Sequence, residues 1–190
     1  AADRKSDSGF ASATVTIYLS SLSTSPYDER DYIYSPARDS LPKSADLRPY
    51  AGAIEDQGRI GSCTCNATVS ACEILLDRAR MPRDLSRLFL YYIIREYEGR
   101  IGQDGAFTRD ALKLGRKIGI PPEVAWPYNV ERVDGRPSDV AYANVSPINR
   151  YERIPLVRDG DVRANWTLLK QALAEGMPIV FAMPVTNDHL

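Results

Sequence analysis

Residues 56–67 have the sequence Asp56-Gln57-Gly58-Arg59-Ile60-Gly61-Ser62-Cys63-Thr64-Cys65-Asn66-Ala67, a polar turn with two glycines that leads into a helix-compatible segment. No proline or glycine interrupts residues 67–79, so the pattern predicts a helix that begins next to Cys63. The N-terminus of a helix carries about half a positive charge and unsatisfied N–H groups. Such a position favours the thiolate form of a cysteine over the thiol.

Cys63 is therefore a candidate nucleophile. Gln57 lies just upstream on the turn, where its side-chain amide and the Cys63 backbone N–H would point at one oxyanion. In the alternative interpretation Cys63 is a small buried apolar residue, as most free cysteines are. The helix start alone does not decide between the two interpretations.

The composition is that of an ordinary globular protein, with 190 residues, 44% apolar and 26% charged, enough for one domain or two small ones. The 24 Lys and Arg residues are matched by 25 Asp and Glu residues, so no charge excess favours nucleic acid or an anionic membrane as a partner. No apolar run approaches the length that crosses a bilayer.

The three cysteines, Cys63, Cys65 and Cys72, all fall in one short segment. On a helix they cannot be bridged locally, and Cys63 and Cys65 point to different faces. The absence of a disulfide framework favours a reducing compartment such as the cytoplasm, with secretion left open. A zinc site needs four ligands, and the one histidine, His189, lies at the far end, so no metal or cofactor is expected.

Hydrophobic periodicity predicts a mixed α+β protein with helices early and strands late. The nucleophile helix is predicted over 62–80, with its inner face marked by Ala67, Ala71, Ile74 and Leu75. Ser86 is predicted to cap a second helix that is apolar on all sides and hence part of the core. The remaining predicted elements are a strand at 13–19, an irregular arm at 20–39, a helix at 109–118 capped by Thr108, a short helix through 143 capped by Ser138, a strand at 148–156, a helix at 165–175 and a buried strand at 178–183.

Several spaced blocks of this sequence resemble the papain-like cysteine peptidases. They are Leu41-Pro42 to Asp46-Leu47-Arg48, Asp56-Gln57-Gly58 with Gly61-Ser62-Cys63, Leu85-Ser86 with Leu90-Tyr91-Tyr92, Asp104-Gly105-Ala106-Phe107, and Trp126-Pro127-Tyr128. The segment from Gly61 to Ala67 is similar to a Gly-Ser-Cys-Thr-x-Asn-Ala variant found in bacterial members. Together the blocks cover about residues 41–185.

The resemblance implies a two-lobe fold, with a cleft-covering or propeptide-like arm at 1–40, a helical lobe at 41–145 and the beginning of a β-barrel lobe at 146–190. It implies a peptidase that works through an acyl-enzyme intermediate on a peptide or protein substrate. Cys63 would be the nucleophile and Gln57 the oxyanion donor. The implied substrate-binding residues are Gly61, Ser62, Gly105 and Ala106.

Two departures from the family pattern affect this expectation. Thr64 stands where the commonest members have a tryptophan after the nucleophile, and Ile60 stands where plant and lysosomal members have a disulfide cysteine. A catalytic cysteine also needs a base, and in papain-like sequences the histidine follows the cysteine by about 130–150 residues. His189 follows Cys63 by 126 residues (189 − 63) and lacks the apolar strand context of the family histidine. The expectation is that this sequence stops before the family's His and Asn.

Two further functions remain open at this point. One is a non-catalytic papain-like module that holds peptides without cleaving them, or an inactive fragment without its base. The other is a purely structural helical domain, which gives no reason for the ordered set of motifs. In the arm, Tyr27, Tyr32 and Tyr34 are predicted to fill an apolar groove that crosses or borders the cleft.

Overall fold

The computed structural model describes residues 14–18, 28–37, 40–155 and 162–182. Five helices lie in these ranges: α1 (Cys63–Arg78), α2 (Arg87–Glu98), α3 (Thr108–Lys117), α4 (Asp139–Ala143) and α5 (Val162–Ala174). The same ranges contain three strands, β1 (Thr14–Tyr18), β2 (Arg150–Arg153) and β3 (Ile179–Phe181). Within this described part of the chain, no helix combines the length and the apolar character needed to cross a membrane.

Helix α1 packs against α2 and α3, and small side chains fill the space between them. Its buried residues are Cys65, Thr68, Val69, Ala71, Cys72 and Leu76. The predicted inner face is confirmed at Ala71, which is buried, and at Leu75, which is half-buried and packs against the core. It was wrong at Ala67, which is exposed, and Ile74 is only half-buried. The buried positions follow a stripe three to four residues apart that starts at Cys65, so the buried face of α1 is rotated relative to the predicted stripe that starts at Ala67.

Helix α2 is the central element of the larger core, as predicted. Its N-cap Ser86 accepts a hydrogen bond from the Phe89 backbone N–H at 3.1 Å. Burial extends from Arg87 through Arg95, so both ends of the buried stretch carry a guanidinium. Each is paired with a carboxylate at 2.7 Å, Arg87 with Glu73 and Arg95 with Asp134. Buried arginines of this kind are tolerated only when they are paired and hydrogen-bonded.

The two predicted caps of the later helices had different outcomes. Ser138 caps α4 and accepts a hydrogen bond from Ala141 N–H at 3.3 Å. The Thr108 cap was wrong: Thr108 is the first residue of α3, and Phe107 occupies the N-cap position without a side-chain bond. Phe107 is still extended, with φ −78° and ψ 132°, and therefore lies outside the helix. The helix begins at Thr108, one residue before the predicted start.

The three strands form a parallel sheet in the order β2-β1-β3. Both later strands are shorter than the predicted ranges 148–156 and 178–183. The prediction of a buried strand at 178–183 was also wrong, because Val180 is buried while Phe181 is 54% exposed. β3 lies at an edge of the described sheet, and burial along it alternates, with Ile179 half-buried, Val180 buried and Phe181 exposed.

The described part of the N-terminal arm is bound to the later part of the chain by backbone and charged contacts. Tyr34 N–H donates to the Arg153 carbonyl at 3.0 Å, and Tyr34 is buried in a small cluster with Ile154 and Ala172. Arg109 of α3 pairs with Asp28 at 2.5 Å and with Asp31 at 2.9 Å.

Two of the three arm tyrosines named above have a described environment. Tyr34 is buried, whereas Tyr32 is 42% exposed and its ring lies beside guanidinium groups of α3 and β2. Tyr27 lies outside the described residues. Coverage of a cleft by the arm stays a prediction.

Candidate active site

Cys63 is the first residue of α1 and its side chain is exposed, whereas Cys65 and Cys72 are buried. Burial raises the pKa of the Cys72 thiol to about 12 and that of Cys65 well above its usual range. The two buried thiols are thus held in the protonated form. Among the three cysteines, Cys63 alone combines solvent access with a helix N-terminus.

The N-terminus of α1 is not capped by a side chain. Ser62 occupies the N-cap position, but its hydroxyl lies 2.6 Å from the Tyr128 hydroxyl and accepts a hydrogen bond from Asn66 Nδ2 at 2.9 Å. The Ser62 carbonyl accepts the N–H groups of Cys65 and Asn66 at 2.9 and 3.0 Å. The first N–H groups of the helix, including that of Cys63, are therefore left for another acceptor beside the thiol.

The turn that carries Gln57 is held by hydrogen bonds between its own residues. Gly58 adopts a φ of +61° and donates its N–H to the Asp56 carboxylate at 2.8 Å, so a residue with a side chain is disfavoured there. Gln57 Nε2 donates to the Ile60 carbonyl at 3.0 Å, and Ser62 N–H donates to the same carbonyl at 2.9 Å. An amide nitrogen has two N–H donors, so this bond orients the Gln57 amide and leaves its second donor for another acceptor.

Tyr128 connects this turn to the beginning of α1. Its hydroxyl donates to the Gln57 carbonyl at 3.0 Å and lies 2.6 Å from the Ser62 hydroxyl. Burial raises the pKa of Tyr128, so the phenol keeps its proton over the neutral range. The sequence placed Tyr128 in a rigid corner, but its contact with the turn 71 residues away was not predicted.

The segment 104–106 lies beside the turn and is held by hydrogen bonds to Gly61 and Tyr91. The Asp104 carboxylate accepts hydrogen bonds from Gly61 N–H at 3.0 Å and from the Tyr91 hydroxyl at 3.1 Å. Gly105, with φ +89°, donates its N–H to the Tyr91 hydroxyl at 3.0 Å. A Cβ built on Gly61 would lie 3.0 Å from the Gly105 nitrogen, so the two backbone segments are in close contact.

Thr64 adds a direct bond between α1 and this segment. Its hydroxyl donates to the Ala106 carbonyl at 3.0 Å. Thr64, the residue directly after Cys63, thus ties α1 to the segment 104–106. Neither this bond nor the bridging role of Tyr91 and Asp104 was predicted from the sequence, since each joins residues that are distant along the chain.

The six predicted site residues lie on two pieces of backbone, 57–63 and 105–106. They are Gln57, Gly61, Ser62, Cys63, Gly105 and Ala106, and the hydrogen bonds above join the pieces. His189 lies outside the described residues, and no histidine occurs within them. The described residues also contain no group of three or more His, Cys, Asp or Glu side chains arranged to hold a metal ion.

A cavity of about 470 Å³ lies elsewhere, between the segment 50–55 and the C-terminal half of α1. Its lining includes Glu55, Glu73, Asp77 and Asp84. None of its lining residues belongs to 57–63 or 104–106, so the cavity is separate from the candidate site. Cys63 instead faces solvent on an open surface.

No family model matches the chain. An uncharacterized peptidase C1-like protein of Acanthamoeba polyphaga mimivirus is 35% identical over 147 residues, which cover 75% of this chain and 47% of that protein. The chain therefore spans about half the length of this curated relative.

Two solved structures have similar folds. Xylellain, a cysteine protease from Xylella fastidiosa, superposes with a TM-score of 0.68 and 31% identity, covering 87% of this chain and 64% of that one. The digestive procathepsin L 3 of Tenebrio molitor larval midgut has a TM-score of 0.59 at 24% identity, over 75% of this chain and 44% of that one. These similarities confirm the predicted α+β fold.

Proposed function

The chain belongs to the papain-like cysteine peptidases, and we propose that it supplies the nucleophile and the oxyanion site of an enzyme that hydrolyses peptide bonds. The observation that carries the proposal is the placement of Cys63. It is an exposed thiol on the first residue of α1, where no side chain caps the helix. The other two cysteines are buried and protonated, which makes Cys63 the one suited to attack a substrate.

In the proposed reaction the Cys63 thiolate attacks the carbonyl carbon of the scissile peptide bond. The carbonyl π electrons move onto its oxygen, and this oxyanion is stabilised by the Cys63 N–H and the Gln57 amide. The tetrahedral intermediate collapses, the C–N bond breaks, and the departing nitrogen takes the proton that the thiol had given up. Water then hydrolyses the resulting thioester and regenerates the thiol.

The proton has to be held by a base between these steps. The proposed base is the histidine that the family pattern requires, from a part of the protein outside the described residues. Its role is to accept the Cys63 proton and to deliver it to the leaving amine. The residues described above supply the proposed nucleophile and oxyanion donors, and the histidine supplies the proton transfer.

The proposed substrate is a peptide that pairs with the segment 104–106 as an added strand. The Gly105 carbonyl and the Ala106 N–H are the backbone groups proposed for this pairing, because the Gly105 N–H donates to Tyr91 and the Ala106 carbonyl accepts from Thr64. Gly61 forms the proposed wall next to the thiol, and Ser62, which is buried, supports this wall from behind. Support comes from the close contact of the two backbones, since Gly61 has no room for a Cβ beside the Gly105 nitrogen. A side chain at Gly61 would occupy the space between nucleophile and substrate segment.

A thiol-directed peptidyl epoxide tests the proposal on the complete protein. We expect one molecule of label, located on Cys63 by peptide mapping, together with loss of peptide hydrolysis. Cys63→Ala should abolish both the label and hydrolysis, whereas the matched variant Cys72→Ala should keep both because Cys72 is buried and 2% exposed.

The opposite results have defined meanings. Label on another cysteine, or hydrolysis that survives Cys63→Ala, would refute the assignment of the nucleophile. Peptide binding of equal affinity in Cys63→Ala and wild type, with no cleavage by either, would replace the peptidase with the non-catalytic binding module considered above.

A further inference from the structure

We propose that Tyr128 is a positioning residue for the oxyanion site, because its hydroxyl fixes the backbone next to both proposed donors. The inference rests on the proposed function, since it concerns the geometry of Gln57 and Cys63 in that reaction. Tyr128 itself contacts neither the thiol nor the Gln57 amide in any hydrogen bond described above. Its effect is transmitted through the Gln57 carbonyl and the Ser62 hydroxyl.

The Tyr128 hydroxyl contacts the backbone of Gln57 and the side chain of the residue before Cys63. It donates to the backbone carbonyl of Gln57 at 3.0 Å, one bond from the Cα that carries the amide side chain. It lies 2.6 Å from the hydroxyl of Ser62, the residue directly before Cys63. Asn66 completes the network by donating Nδ2 to Ser62 Oγ at 2.9 Å and to the Ser62 carbonyl at 3.1 Å.

One assignment of the hydroxyl protons satisfies every hydrogen bond of this network. Tyr128 uses its one proton on the Gln57 carbonyl, so Ser62 Oγ donates to the Tyr128 oxygen and accepts from Asn66. Each hydroxyl thus donates once and accepts at least once. Because burial keeps the phenol neutral, the Tyr128 donor is present throughout the neutral pH range.

Tyr128 can transmit position only if it is itself fixed, and its corner is anchored to the core. Its backbone N–H donates to the carboxylate of Glu123. The carbonyl of Trp126, which is 3% exposed, accepts a hydrogen bond from the Ser86 hydroxyl at 2.5 Å. Ser86 is the N-cap of α2, so the corner that carries Tyr128 is anchored to the most buried of the described helices.

Loss of the hydroxyl should therefore loosen the Gln57 turn against the start of α1 without removing either donor. Removing one oxyanion donor outright costs about 10²–10³ in kcat, and a displacement of about 1 Å can cost about 10²-fold. A loosened pair of donors should cost less, about tenfold. Because the oxyanion forms only along the reaction, the loss should appear in kcat and leave KM nearly unchanged.

The experiment compares Tyr128→Phe with Tyr92→Phe in the complete protein. The control removes a tyrosine hydroxyl whose described hydrogen bond goes to Glu96 at 3.1 Å, on α2 itself. We expect kcat for a peptide substrate to fall about tenfold in Tyr128→Phe, with KM within about twofold, and to stay near the wild-type value in Tyr92→Phe. Alkylation of Cys63 by iodoacetamide forms no oxyanion, so its rate should be unchanged in both variants.

Ser62→Ala provides a second test that does not depend on the folding of Tyr128→Phe. It removes the Ser62 branch and leaves the bond from Tyr128 to Gln57, so kcat should fall by less than in Tyr128→Phe. The effects of the two changes on kcat should not add. The double variant should have nearly the same kcat as Tyr128→Phe, because both changes act on one network.

Each contrary result identifies what has failed. An unchanged kcat in Tyr128→Phe with normal wild-type turnover overturns the positioning role alone. An equal decrease in kcat and in the iodoacetamide rate also overturns it, since the variant would then have disturbed the thiol environment generally. Absence of turnover in the wild type refutes the proposed function, and this inference with it.

Discussion

Replacement of Gly61 by alanine would test the close contact between the turn before Cys63 and the segment 104–106. The new Cβ would lie 3.0 Å from the Gly105 nitrogen and 3.2 Å from the Asp104 Cβ. Neither neighbour is the free end of a flexible side chain. Gly105 N–H is bonded to Tyr91, and the Asp104 carboxylate is held by both Gly61 and Tyr91.

The expected cost is that of overpacking a fixed contact, about 1–3 kcal/mol. Alanine also stabilises by reducing the entropy of the unfolded chain, so the control has to be another Gly→Ala change. Gly52→Ala serves, because a Cβ there meets nothing within 4 Å. For a chain of 190 residues about 1 kcal/mol corresponds to about 2–4 °C, so the Tm of Gly61→Ala should lie roughly 2–12 °C below that of Gly52→Ala.

Thermal unfolding followed by circular dichroism measures the difference, and peptide hydrolysis measures its effect on the site. We expect kcat/KM to fall in Gly61→Ala, because separation of the two segments moves the proposed substrate strand away from the thiol. Equal Tm values for the two variants would refute the reasoning, since they would show that the two backbones are not held at the distance described.

Three smaller predictions concern other contacts. Thr64→Val should lower the free energy of unfolding by about 1 kcal/mol and raise KM, because the Ala106 carbonyl loses its hydroxyl donor. Urea unfolding and peptide kinetics measure the two effects, and wild-type values of both would contradict the prediction. At pH 8 a thiol reagent should react with one of the three α1 cysteines in the native protein and with all three after denaturation, since Cys65 and Cys72 are buried. Rapid reaction of two or more of them in the native protein would contradict this burial. Hydrogen bonds from Arg30 and an ion pair with Arg109 hold the pKa of Asp28 well below its usual range, so their stabilisation is present above about pH 4 and is lost as the pH falls further. Arg109→Met should therefore flatten the acid side of the plot of Tm against pH, and a plot parallel to that of the wild type would show that the pair contributes nothing.

Features that depend on residues close together along the chain were predictable from the sequence. The caps at Ser86 and Ser138 follow from a polar side chain before a helical pattern, and both are confirmed. The apolar character of α2 on all sides predicted its burial, which is also confirmed. Cys63 was expected at a helix start because glycines precede it and an uninterrupted helical segment follows.

Features that depend on contacts between distant segments were not predictable. The inner face of α1 is set by the approach of α2 and α3, so hydrophobicity along α1 alone pointed to Ala67 and Ile74. The strand ends are set by pairing partners, which made β2 and β3 shorter than their apolar patterns.

The candidate site divides in the same way. Its six residues were named from their motifs, and the structure joins their segments, but their roles stay predictions. The groups that hold the segments together were missed, because Tyr91, Asp104 and Tyr128 act through hydroxyl or carboxylate atoms at the ends of side chains that otherwise resemble core or loop residues. A buried tyrosine whose ring is apolar and whose hydroxyl needs a partner is the signal that sequence reasoning could have used.

The most direct test of the account is the capture of the acyl-enzyme. An activated peptide ester would be mixed with the complete protein, quenched in acid within the first turnover and digested for mass spectrometry. We predict that the peptide containing Cys63 gains the mass of the acyl group as a thioester, and that the gain is absent in Cys63→Ala. Hydrolysis of the ester by wild type and Cys63→Ala at equal rates, with no adduct on Cys63, would contradict the central claim.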